Sequence, residues 1–108
     1  MSVGFGYTRR LYSGTATASG NTQSTPIPCK FEKEAIFYLD ITAISGWLDI
    51  EIQLWNPLTG KWHKLATFDR KTTIGTDEGF VEYGIGEKLA IQYELSGTAT
   101  FSVDVTLK

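Results

Sequence analysis

From Trp47 to Asn56 the chain reads WLDIEIQLWN, and this stretch constrains the fold more than any other. Leu48, Ile50, Ile52 and Leu54 fall on one side of an extended chain, and Trp47, Asp49, Glu51, Gln53 and Trp55 on the other. A helix would spread these apolar residues around its whole circumference. A strand gathers them on one face, because its side chains alternate with a period of two. The stretch therefore predicts a β-strand with one dry and one wet face, the signature of an antiparallel sheet covered on one side. Asn56-Pro57-Leu58-Thr59-Gly60-Lys61 follows as a turn, in which proline presets the backbone and Gly60 supplies a left-handed residue. Lys61 to Thr67 then returns as the partner strand. A loop over 57–60 pairs Asn56 with Lys61, Trp55 with Trp62 and Gln53 with Lys64. It places both tryptophans on the polar face and Ile52, Leu54, His63 and Leu65 on the core side.

The same period recurs elsewhere. In AIFYLDITA, Phe37, Leu39, Ile41 and Ala43 share one face, and Ile36, Tyr38, Asp40 and Thr42 the other. Lys88 to Leu95 turns Leu89, Ile91, Tyr93 and Leu95 inward. Thr98 to Lys108 turns Ala99, Phe101, Val103, Val105 and Leu107 inward. Thr8 to Ala18, rich in Thr and Ser, predicts an edge strand, and Ser19 to Thr25 a loop. Asp69 to Gly79 shows no period and reads as a long connection, followed by a short strand over Phe80–Tyr83 and a turn at Gly84-Ile85-Gly86-Glu87. Ile44-Ser45-Gly46 and Leu95-Ser96-Gly97 echo each other, each leading into an alternating strand. The expected fold is all-β: an antiparallel two-sheet sandwich, jelly-roll-like, or a flattened barrel, of six to eight strands. One domain spans residues 1–108, with 1–30 as an edge strand and a loop or arm.

Composition narrows the chemistry. Ten basic and twelve acidic residues give a net charge of −2, and the basic residues are scattered, so no basic stripe for nucleic acid is expected. The pairs Arg9-Arg10 and Arg70-Lys71 read as solvated charge. No apolar run is long enough to span a bilayer, and the first residues lack the form of a signal peptide, so no membrane partner is expected and, on these grounds, the location reads as cytoplasmic. Cys29 is the sole cysteine and His63 the sole histidine, which leaves no intrachain disulfide and no local Cys/His zinc set. Cys29 reads as a small buried residue.

Enzymatic motifs are missing. His63 lies beside a hairpin with no nucleophile elbow in the chain. Gly84-Ile85-Gly86-Glu87 lacks the Lys-Ser/Thr pair of a phosphate loop. Asp69, Asp77 and Glu78 match no calcium-loop spacing. Asp49 and Glu51, neighbours on one strand face, are the nearest approach to a glycosidase carboxylate pair. No enzyme, no cofactor and no metal are expected.

From Tyr38 to Trp62, the segment YLDITAISG, the LDIEIQLW strand, the turn, and the start of the Trp-bearing return strand together resemble a pattern in small phage and provirus structural proteins. LAIQYELSGTATFSVDVTL, with its strand ending at Ser-Gly and its closing Phe-Ser-Val strand, resembles the same group. One departure is that Ser45-Gly46 runs straight into Trp47-Leu48, where that group carries a longer turn. The resemblance implies a virion-associated β-sandwich, of capsid-decoration or head–tail type, and carries no catalytic residue. The first functional expectation is thus a structural protein working through repeated protein–protein contacts, as a homo-oligomer or against other virion proteins. The alternative is a carbohydrate-binding module in which the tryptophans stack on a glycan. Both readings use one candidate contact face: Trp47, Asp49, Glu51, Gln53, Trp55, Trp62 and Lys64, chosen because exposed tryptophans mark contact surfaces.

Overall fold

The computed structural model describes residues 6–29, 32–82 and 86–108. Nine strands lie in it: β1 (Tyr7–Ala16), β2 (Gly20–Asn21), β3 (Ile27–Pro28), β4 (Glu34–Ser45), β5 (Leu48–Asn56), β6 (Lys61–Thr67), β7 (Gly75–Glu82), β8 (Lys88–Leu95) and β9 (Thr98–Leu107). They form two antiparallel sheets that do not close into a barrel. One runs β1-β9-β4-β7, and the other β2-β8-β5-β6 with β3 also on β8. If β2 and β3 count as one interrupted strand, the eight strands pair first with eighth, second with seventh, third with sixth and fourth with fifth. This is the nested pairing of a jelly roll.

Alternation builds the core. Phe37, Leu39 and Ile41 of β4 and Val103, Val105 and Leu107 of β9 meet Leu48, Ile50 and Ile52 of β5 and Leu89 and Ile91 of β8. Tyr12, Tyr93 and Phe101 close one end, with Tyr12 stacked on Phe101 at 4.6 Å. Cys29 is fully buried, and burial pushes its thiol pKa up to about 12. The outer face of the four-stranded sheet is laced by cross-strand pairs: Thr8 with Thr106, Thr15 with Thr100, and Arg10 with Asp104 in a two-bond ion pair.

The echoed Ser-Gly pairs are the corners at which the chain changes sheets. β4 passes into β5 at Gly46 and β8 into β9 at Gly97, and the two corners lie against each other. The Ser96 amide donates to Trp47 O (3.1 Å), the Trp47 amide to Ser96 Oγ (3.1 Å), and the Thr98 amide to Ser45 Oγ (3.1 Å). Both glycines have positive φ, 83° and 74°.

Several expectations are corrected. Ala43 is exposed, and Ile44 packs on the core instead, because a bulge leaves Thr42 without its own partner on β9 and flips the strand's faces beyond it. His63 is exposed: β6 is the outermost strand, and only its far half, Leu65 and Ala66, packs on the core. The long connection ends early, since β7 begins at Gly75. Its inward positions hide any alternation. Asp77 faces Lys71 Nζ at 2.5 Å, and Gly79 leaves its side-chain space to the Phe68 ring. Lys71 also exchanges backbone bonds with Leu48 (2.9 Å each), so this one residue ties the two sheets together. The expected loop over Ser19–Thr25 contains β2. The strand end at Tyr83 and the turn residues Gly84 and Ile85 lie outside the described residues, as do residues 1–5 of the N-terminal arm and Lys30.

Candidate functional site: the outer face of the five-stranded sheet

The hairpin register is the one expected: Asn56 with Lys61, Trp55 with Trp62, and Gln53 with Lys64. A bulge between Ile52 and Gln53 follows. With β8 on its other side, β5 carries rows of outward side chains running across three strands. The first row holds Trp62, Trp55 and Lys88. The Trp55 and Trp62 rings meet at 63°, 5.3 Å apart, and the Lys88 ammonium sits 4.5 Å from the Trp55 centroid and 5.8 Å from that of Trp62. The next holds Lys64, Gln53 and Ala90, and the next Thr67, Glu51 and Gln92. Asp49 and Glu94 stand opposite each other beyond them.

Gln53 departs from expectation. Placed on the wet face, it is only 5% exposed. Its Oε1 accepts from Gln23 Nε2 (2.7 Å), and its Nε2 donates to Glu51 Oε2 (2.8 Å) and Gln92 Oε1 (3.0 Å). Gln23 arrives from the excursion between β2 and β3, which Thr22 anchors to Ile91 through its amide (2.9 Å) and its hydroxyl (3.0 Å). Ala90, the β8 neighbour of Gln53, is small enough to lie beneath this cover and is itself fully buried. The amide is satisfied on both sides, as a buried polar group must be.

At the far end of the face, Asp49, Glu51, Asp69 and Glu94 line a cleft of about 470 Å³ together with Thr67, Phe68, Arg70 and Gln92. The Asp49–Glu94 juxtaposition of like charges is relieved by Arg70, whose Nε (3.0 Å) and Nη2 (2.8 Å) grip both Asp49 oxygens. The same guanidinium lies 4.0 Å over the Trp47 ring. Hydrogen bonding from Arg70 holds the Asp49 carboxyl below the usual range, the opposite of what a general acid needs. Among the described residues no group of three or more His, Cys, Asp or Glu side chains is arranged to hold a metal ion.

All seven sequence-derived residues thus stand along this face, but in three settings. Trp55, Trp62 and Lys64 form an aromatic and cationic end with Lys88. Gln53 is locked in the middle. Trp47, Asp49 and Glu51 belong to the acidic end, with Trp47 under Arg70. All three tryptophans are half-buried. Sequence reasoning did not single out Lys88, Gln92, Glu94, Gln23, Asp69 or Arg70 for this face. The first three carried a usable signal, since they alternate with the inward residues of β8. Gln23 and Arg70 lie in aperiodic segments that give no facing.

No family model and no curated protein sequence matches the chain. Solved structures do. A Yersinia pseudotuberculosis-derived mitogen superposes with a TM-score of 0.59 at 14% identity, over 96% of this chain and 88% of its own. The SPBc2 prophage-derived protein YomS superposes with a TM-score of 0.57 at 9% identity, over 99% of this chain and 96% of its own. At such identities the likeness establishes the fold alone: a small two-sheet β-sandwich found in proteins of diverse origin.

Proposed function

We propose that the protein is a non-enzymatic assembly component, of the kind found in viral or phage particles, that works through protein–protein contacts on the outer face of its five-stranded sheet. The carrying observation is the Trp55–Trp62 pair. Two large aromatic rings stand half-exposed beside Lys64 and Lys88, outside the core, where aromatic residues framed by charge favour a partner's surface. The prophage origin of one fold neighbour lends this setting support. The alternative of a glycan platform gains none from the geometry, since the two rings are set at 63° and do not present a common plane.

Size-exclusion chromatography with light scattering over a wide concentration range, alongside a glycan array, tests the proposal. A closed oligomer weakened by Trp62→Ala and indifferent to glycans is the expected result. A strict monomer whose glycan binding is lost in Trp55→Ala would overturn it.

A further inference from the structure

The two ends of the proposed contact face carry opposite charge. One end presents Lys64 and Lys88 around the Trp55–Trp62 pair. The other presents a cleft lined by four carboxylates against the single guanidinium of Arg70, which Asp49 already holds. Between them the Gln53 amide is fully committed to Gln23, Glu51 and Gln92. From Gln53, the β5 partner of Lys64, to Asp49 is four residues, roughly 13 Å along a strand. The spacing is short enough for both ends to fall inside one interface of standard size, ~800 Å² per partner, on a molecule 42 × 38 × 20 Å in extent.

We infer that the occupant of this face is a second copy of the chain, docked face to face about a two-fold axis. The inference rests on the assembly reading above and specifies its partner. The in-plane axes that bring the faces together range between two limits, along the strands and across them. An axis along the strands lays cleft on cleft and lysine on lysine, which like charge forbids. An axis across the strands, between the Gln53 and Glu51 rows, reverses strand direction while keeping β6 over β6 and β8 over β8. Lys88, on the β8 side, then lies over Glu94 of the other copy, and Lys64, on the β6 side, lies one row from Asp69, roughly 7 Å and within reach of its side chain. Each contact is made twice, as an isologous interface requires. The tryptophan pairs flank the lysines and exclude water from them, which strengthens the charge pairing. The outer face of the four-stranded sheet offers no such complement, because Arg10 is already paired with Asp104 and the further charges there, Asp40 and Glu78, are acidic.

The symmetry makes a specific test available. Lys64→Glu and Asp69→Lys each place like charges at both contacts, and both residues are exposed, so folding is not at risk. Each variant alone should dimerise at least roughly tenfold more weakly than the parent chain by sedimentation equilibrium. Mixing the two should restore association as a heterodimer. The carboxylate introduced in one variant then meets the ammonium introduced in the other, and at the second contact an unaltered Lys64 meets an unaltered Asp69. Circular dichroism confirms that each variant is folded. Dimers weakened by both reversals but not rescued by mixing overturn the antiparallel geometry and leave the face reading intact. Dimers indifferent to both reversals overturn the inference, and so does a chain that stays monomeric without binding glycans. A monomer whose glycan binding is lost in Trp55→Ala overturns this inference and the assembly reading together.

Discussion

Gly46→Ala should be strongly destabilising, and its cost follows from the paired corners. The residue has φ of 83°, a conformation that costs an L-residue roughly 1–2 kcal/mol. An added Cβ would also lie 2.9 Å from the Ser96 carbonyl carbon and closer still to its oxygen and hydroxyl, so Ser96 must move. Moving it strains the Ser96 amide bond to Trp47 O and the Trp47 amide bond to Ser96 Oγ, each contributing about 0.5–1.5 kcal/mol. Together these give a loss of about 2–5 kcal/mol, a large share of the roughly 5–15 kcal/mol typical of a domain. Gly60→Ala is the control. Its φ of 66° carries the same conformational cost, but nothing lies within 4 Å of the added methyl, so it should lose only about 1–2 kcal/mol. Urea unfolding measures both. The Gly46 variant should show a midpoint lower by about 1 M or more with an unchanged slope. Equal losses in the two variants would refute the idea that the corners brace each other.

The remaining predictions concern buried and paired groups. Cys29 should resist a thiol reagent at pH 8 in the folded chain and react on unfolding, and fast labelling of native protein would contradict its burial. Its thiol stays protonated in the fold to about 12 while the unfolded chain loses the proton near 9.0, so this group's contribution to stability should be complete below pH 9 and decline between pH 9 and 12 in urea titrations at stepped pH. Gln53→Glu puts a carboxylate beside Glu51 in a covered site. It should destabilise more at pH 7 than at pH 4, where the new group can take up a proton, and a pH-independent loss would argue against the network. Arg70→Ala should leave the urea midpoint nearly unchanged, because the ion pair is exposed and screened by solvent, yet should raise the Asp49 pKa toward its usual value by NMR titration.

Much of the fold was legible because its core strands obey one rule. In β5, β8 and β9 every second residue is apolar, and the inward sets read from Leu48, Leu89 and Ala99 are the ones that pack. The hairpin register was legible too, since Pro57 and Gly60 set the loop length and the loop length sets the pairing. The rule fails where a residue answers to a contact outside its own strand. Thr42 is an extra residue that only the partner β9 reveals. Asp77 and Gly79 sit inward on an edge strand because Lys71 and Phe68 come from elsewhere to meet them. An inward charge on an edge strand also discourages further strand pairing, so the feature that hid β7 from the periodicity is one that guards an exposed edge.

The candidate face follows the same division. Alternation assigns Asp49, Glu51, Gln53 and Trp55 to one side of β5, and the structure keeps them there. Alternation cannot say what crosses over them. Gln23 covers Gln53 from 30 residues away, and Arg70 binds Asp49 from 21 residues away, both out of segments without period. These two long-range contacts turn a uniform wet face into one with a closed middle and two open ends of opposite charge. A strand pattern therefore identifies where a β-sandwich can bind. The aperiodic segments, which owe their conformation to tertiary contacts, decide which part of that face stays available and with what charge.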